Sequence, residues 1–116
     1  MTTILRIYAN WCFHCINMLP EWNKTKSKLK NKKINVIDIE QQEMYKLFKF
    51  NSDNKLNITP SGFPTIVKVK NGKVSYYNGK RTSEKMLKWI LSNNKTKNNK
   101  TNKRKKGNNK TKRKLK

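Results

Sequence analysis

Short β-prone runs alternating with amphipathic stretches predict an α/β domain, a four-stranded mixed sheet flanked by three helices in the order β-α-β-α-β-β-α. Two further observations bound it. Asn71-Gly72 lies between two β-prone runs and is a two-residue hairpin signal, so the last two strands should be antiparallel. From residue 93 onward, 12 of the 29 basic residues occur with no acidic residue and a single aliphatic one, Leu115. A segment of Lys, Asn and Thr buries too little apolar surface to offset its conformational entropy. The folded unit is therefore expected at residues 1–92, and residues 93–116 are expected to form a disordered basic tail.

Each element has its own signal. Residues 3–9 are mostly apolar and stop directly before Trp11-Cys12-Phe13-His14-Cys15, as a buried strand feeding a helix would. Beyond it Cys15, Ile16, Leu19, Trp22 and Leu29 recur at helical spacing with lysines opposite, and Pro20 is expected to kink this helix. Residues 34–39 read as a second strand. Met44, Leu47 and Phe48 mark the inner face of a short helix, and a polar loop is expected over residues 51–61. Residues 65–70 and 73–77 form the hairpin. Thr82 can cap a last helix with Glu84 in its first turn and Met86, Leu87, Ile90 and Leu91 facing inward.

The chemistry concentrates in the two cysteines, the only ones in the chain, which stand three positions apart. At the first turn of a helix that offset lets both sulfurs close a small ring, and the leading sulfur meets the positive end of the helix dipole. The spacing therefore predicts reversible dithiol/disulfide chemistry, with a reactive Cys12 and a more sheltered Cys15. Structural zinc is the rival reading of this spacing. It needs about four Cys or His ligands, and the chain offers Cys12, Cys15 and His14 alone, leaving only a site shared between two copies. No metal and no cofactor are expected. No apolar run reaches the roughly 18 residues of a membrane span, and the N-terminus lacks the plan of a signal peptide. An intracellular location, cytoplasm or nucleus, is expected, and there a lone dithiol is a working group rather than a staple.

Four ordered motifs resemble the thioredoxin superfamily, and most closely the catalytic domains of protein disulfide isomerases. They are Tyr8-Ala9-Asn10-Trp11-Cys12-Phe13-His14-Cys15, Pro20 five residues after the second cysteine, Ser61-Gly62-Phe63-Pro64-Thr65, and Tyr77-Asn78-Gly79-Lys80-Arg81-Thr82. The resemblance implies a minimal thioredoxin-like fold and a thiol-disulfide oxidoreductase of the oxidase/isomerase kind. By that resemblance Cys12 is the nucleophile and Cys15 the resolving thiol, while His14 tunes the potential. It likewise makes Phe63-Pro64 a cis peptide that, with Trp11 and Phe13, holds an extended substrate, and it implies that Arg81 can approach Cys15 and lower its pKa during turnover. Thioredoxins carry proline where His14 stands. The gap between about −270 mV for thioredoxin and about −180 mV for the isomerase is roughly 4 kcal/mol, enough to change the preferred direction.

Three departures qualify the resemblance. Arg6 stands where the family has a buried carboxylate, so the usual proton acceptor for Cys15 is missing and a cation in its place favours thiolate if near enough. Phe13 replaces a small glycine. The chain begins where the family's second strand starts, so the family's first strand and helix are expected to be absent, exposing an edge that should reduce stability or invite dimerisation; a monomer or weak dimer is expected.

The expected partners are cysteine-containing protein substrates and a redox partner. The tail, through Lys103, Arg104, Lys105, Lys106, Lys112, Arg113 and Lys114, is suited to non-specific contact with nucleic acid or another polyanion; it has no aromatic residue for stacking. Two other readings stay open: a thioredoxin-like reductase, and a basic nucleic-acid-associated or packaging protein whose thioredoxin domain is vestigial.

Overall fold

The computed structural model describes residues 2–92. The elements follow in the expected order: β1 (Thr2–Tyr8), α1 (Phe13–Leu29), β2 (Ile34–Glu40), a short 3-10 turn (Gln41–Glu43), α2 (Met44–Asn54), β3 (Thr65–Lys70), β4 (Lys73–Tyr76) and α3 (Ser83–Leu91). The sheet order is β2-β1-β3-β4. β1 pairs in parallel with β2 and antiparallel with β3, so the strand that leads to the cysteines lies in the interior of the sheet. The hairpin turn is built as its sequence requires, since Asn71 and Gly72 both take positive φ, at 53° and 76°.

The alternation of β1 separates two cores. Ile4 joins Met18, Trp22, Leu29, Ile66, Met86 and Ile90 under α1 and α3, whereas Leu5 and Ile7 join Ile39, Leu47, Ile58 and Val67 on the face covered by α2. Trp22 is wholly buried, and a loss of this size in a core costs about 3–5 kcal/mol. A polar seam ties α1 to α3: Ser83 N–H donates to Glu21 Oε1 at 2.6 Å, and Thr25 Oγ1 lies 3.1 Å from Ser83 Oγ. Thr82 caps α3 by accepting from Lys85 N, with Glu84 in the first turn.

α1 continues without a break through Pro20. Several local expectations are corrected. α2 runs on to Asn54 and stops with Lys55 in the left-handed region, φ 56°, so the loop begins later than residue 51. That loop is not wholly polar in role, because Ile58 is buried and held by Asn51, whose side chain bonds both its N–H and its carbonyl. Ile16, Leu19, Phe48 and Leu91, assigned to inner faces by their spacing, are all exposed, and Met18 takes the core position on α1.

Candidate active site

The site forms where β1 gives way to α1. Glu40, at the end of β2, holds the intervening loop by accepting from Asn10 N–H at 3.0 Å and from Gln42 N–H at 2.7 Å. Gln41 accepts from the Trp11 indole N–H at 2.7 Å. Neither Glu40 nor Gln41 was singled out from the sequence; the only signal was Glu40 and Glu43 at capping-box spacing. Held in this way, the chain turns through Cys12 N–H to Ala9 O, 3.1 Å, and enters the helix.

Cys12 is the N-cap of α1, with an extended backbone at φ −81° and ψ 118°. Its sulfur does what a serine or aspartate oxygen does at this position, accepting the backbone N–H of Cys15 at 3.3 Å. From the other side its S–H points to the carbonyl of Phe63, 3.5 Å away. The Phe63–Pro64 peptide is cis, and the Phe63 ring meets Trp11 edge-on at 5.9 Å. Ala9, Cys12 and Cys15 form a small buried cluster with Tyr8 and Phe63 packed against it, and both thiols are free.

The two sulfurs are set apart in ionisation. Burial pushes Cys12 up, but the hydrogen bonds from Cys15, the backbone N–H of His14 and the charge of Arg81 together bring it below the ordinary thiol value. Burial pushes Cys15 up to about 11, and the hydrogen bond and charge of Cys12 push the same way, opposed by a backbone bond from Ala9 and by the charge of Arg6. Cys12 therefore ionises first, at the helix N-terminus where a negative charge is favoured.

The remaining candidate residues fall in different places. Trp11 and Phe13 are 69% and 68% exposed, and together with Ile16 and Leu19 they make an apolar rim beside the sulfurs. His14 is exposed, its ring edge-on to Phe13 at 6.1 Å, and it reaches Cys12 through its backbone. Arg81 is exposed and its charge bears on Cys12, while the charge of the buried Arg6 bears on Cys15. Lys103, Arg104, Lys105, Lys106, Lys112, Arg113 and Lys114 lie outside the described residues.

A central strand that delivers a dithiol to a helix cap, faced by a cis-proline loop across a mixed sheet, defines the thioredoxin-like class. The chain belongs to the thioredoxin family, whose model matches residues 1–92. It is similar to a thioredoxin domain-containing protein of Theileria parva, 32% identical over 91 residues that make up 78% of this chain and 38% of that protein. It is also similar to protein disulfide-isomerase A4 of Mus musculus, 35% identical over 88 residues, 74% of this chain and 13% of that protein. The chain thus spans well under half the length of either relative. Among solved structures, the first thioredoxin domain of mouse protein disulfide-isomerase A4 matches with a TM-score of 0.56 at 33% identity, covering 77% of this chain and 60% of that one. The J-Trx1 fragment of ERdj5 matches with a TM-score of 0.62 at 15% identity, over 78% of this chain and 41% of that one, a likeness of fold.

Proposed function

We propose that the chain is a thiol-disulfide oxidoreductase acting on protein cysteines, working as an oxidase or isomerase. The observation that carries this reading is the division of labour at one helix cap: Cys12 ionises readily and Cys15 is held as a thiol pushed up to about 11. In the reducing direction, the Cys12 thiolate attacks one sulfur of a substrate disulfide and expels the other as thiolate. Cys15 then displaces the substrate from Cys12 and closes the Cys12–Cys15 bond. In the oxidising direction the same steps run backward, and two electrons pass from the substrate dithiol to the protein.

Stabilising the Cys12 thiolate stabilises the reduced protein and makes its disulfide the stronger oxidant, which supports the oxidising direction. Similarity to disulfide isomerase domains agrees with it. The rim of Trp11 and Phe13 beside the cis Phe63–Pro64 segment suits an extended polypeptide substrate. Trapping tests the reading directly: Cys15→Ser should accumulate mixed disulfides between Cys12 and substrate proteins, while Cys12→Ser accumulates none. An empty trap would sink the oxidoreductase reading. A measured potential near about −270 mV, rather than about −180 mV, would move the assignment to a reductase.

A further inference from the structure

One buried charge beside the dithiol takes no part in the exchange described above. Arg6 is 4% exposed. Its Nε donates to Asp38 Oδ1 at 2.9 Å, and the guanidinium lies 3.9 Å from the centre of the Tyr8 ring and 5.6 Å from that of Trp22. Asp38 also accepts from Trp22 Nε1 at 2.9 Å and from Lys26 Nζ at 2.8 Å. Burial raises the Asp38 carboxyl, but these donors outweigh it and hold it below the usual carboxylate range. The carboxylate is therefore a fixed anchor for Arg6. Arg6 and Cys15 share a cavity of about 180 Å³, lined also by Tyr8, Asn10, Ile16 and Leu19 and roomy enough for water.

We propose that Arg6 is the counter-charge of the resolving thiolate, stabilising Cys15 in the ionised form in which it attacks, and leaves, the Cys12 sulfur. This rests on the thiol-disulfide exchange proposed above. When Cys12 is bonded to a substrate sulfur, Cys15 gives its proton to water in the cavity and its thiolate attacks Cys12 Sγ. The Cys12–Cys15 bond forms, and the bond from Cys12 to the substrate breaks. The substrate sulfur leaves with the electron pair and takes a proton from solvent. In the reverse direction Cys15 is the leaving group and keeps the pair.

The timing favours Arg6. In the resting dithiol, two of the influences that hold Cys15 protonated come from Cys12, its hydrogen bond and its charge. Both vanish once Cys12 is in a mixed disulfide. Burial then stands alone against the Ala9 backbone bond and Arg6. Tyr8 on β1 packs against the cluster that holds Cys15, His14 precedes Cys15 on α1, and Asp38 on β2, the partner of Arg6, is paired with Lys26 as well. The segment before β3 contributes the apolar Phe63, and the charge of Arg81 falls on Cys12. A guanidinium stays protonated through the whole range, so Arg6 acts by charge and neither accepts nor delivers the proton.

The test uses the full chain with Cys12→Ala, leaving Cys15 as the sole thiol, and follows its alkylation by iodoacetamide against pH. Adding Arg6→Gln should raise the midpoint by at least about half a unit, a roughly threefold loss of thiolate on the rising limb. Arg6→Lys should recover most of it. One midpoint for all three proteins would overturn the proposal. A second measurement needs no change at Arg6: Cys12 of the unaltered chain is capped as its methyl disulfide in mild acid, and release of methanethiol by Cys15 is timed across pH. A midpoint well below 11 is expected, and one still near 11 overturns the proposal. Neither readout uses a protein substrate. An empty Cys15→Ser trap would therefore remove the proposed function while these measurements still decide Arg6.

Discussion

Two cations are buried on the same face of the sheet, two residue positions apart in the register of β1 and β3, and they are satisfied in opposite ways. Arg6 on β1 and Lys68 on β3 are 4% and 2% exposed. Arg6 gives one N–H to a carboxylate and lays its plane against two rings, which is what a flat, weakly hydrated guanidinium does well. Lys68 instead sends its ammonium to the end of α3, meeting the carbonyls of Trp89 at 2.8 Å and Ser92 at 3.0 Å, with the Ile90 carbonyl at 3.4 Å. A compact charge with three rotatable donors suits converging carbonyls at the negative end of a helix. Lys68 thus anchors the end of α3, whereas Arg6 lines a cavity together with Cys15. Burial of a cation is by itself no sign of function; what decides is whether the cation shares space with a reacting atom.

The largest effect is expected where no chemistry occurs. Lys68→Met keeps the stem but leaves the α3 carbonyls short of donors, and should cost about 2–4 kcal/mol in chemical denaturation while leaving the Cys15 alkylation profile unmoved. A moved profile would dissolve the contrast between the two cations. Arg6→Gln should cost less, about 1–3 kcal/mol, because Lys26 and Trp22 remain on Asp38.

Asp38 sharpens the comparison through pH. Its folded pKa lies below the ordinary 3.8, so its stabilising contribution is complete above that value and is lost as pH falls through the lower folded one. Asp38→Asn should therefore be less stable at neutral pH and lose this component of acid unfolding, as seen in denaturation curves taken across pH. Cys15 has the opposite sign. Raised from 9.0 to about 11, its contribution is complete below pH 9.0 and is lost as pH rises through about 11 in the reduced protein. Cys15→Ala should flatten that alkaline loss. At the bottom of the scale, Phe48→Ser, at a side chain 65% exposed, should change stability by no more than about 0.5 kcal/mol.

Much of this was legible in the chain. Asn71-Gly72 sets a turn because few other pairs accept two positive φ values, and Thr82 marks a helix start because its hydroxyl replaces a missing backbone acceptor. Cys12 and Cys15 announce themselves by number and spacing. The misassigned residues share a cause. Ile16 and Leu19 keep helical spacing with Cys15, but they line the cavity beside Arg6 and Tyr8 and stay exposed instead of packing into a core. Periodicity identifies a helix's apolar face; it does not say how far along the helix another element covers that face. Phe48 and Leu91 fail likewise, while Leu47 and Ile90 beside them are buried.

The amino-acid sequence by itself determined the element order, the hairpin, the helix caps and the dithiol, because each depends on a few neighbouring residues and their backbone preferences. It also showed a cation where a carboxylate was expected. Only the tertiary structure decided what that cation meets, since Arg6 and Asp38 are 32 positions apart and become neighbours through the parallel register of β1 and β2. The same holds for the charges that reach the two sulfurs, with Arg81 bearing on Cys12 and Arg6 on Cys15. Electrostatic influence depends on distance and burial, and both are set by packing between elements rather than by spacing along the chain.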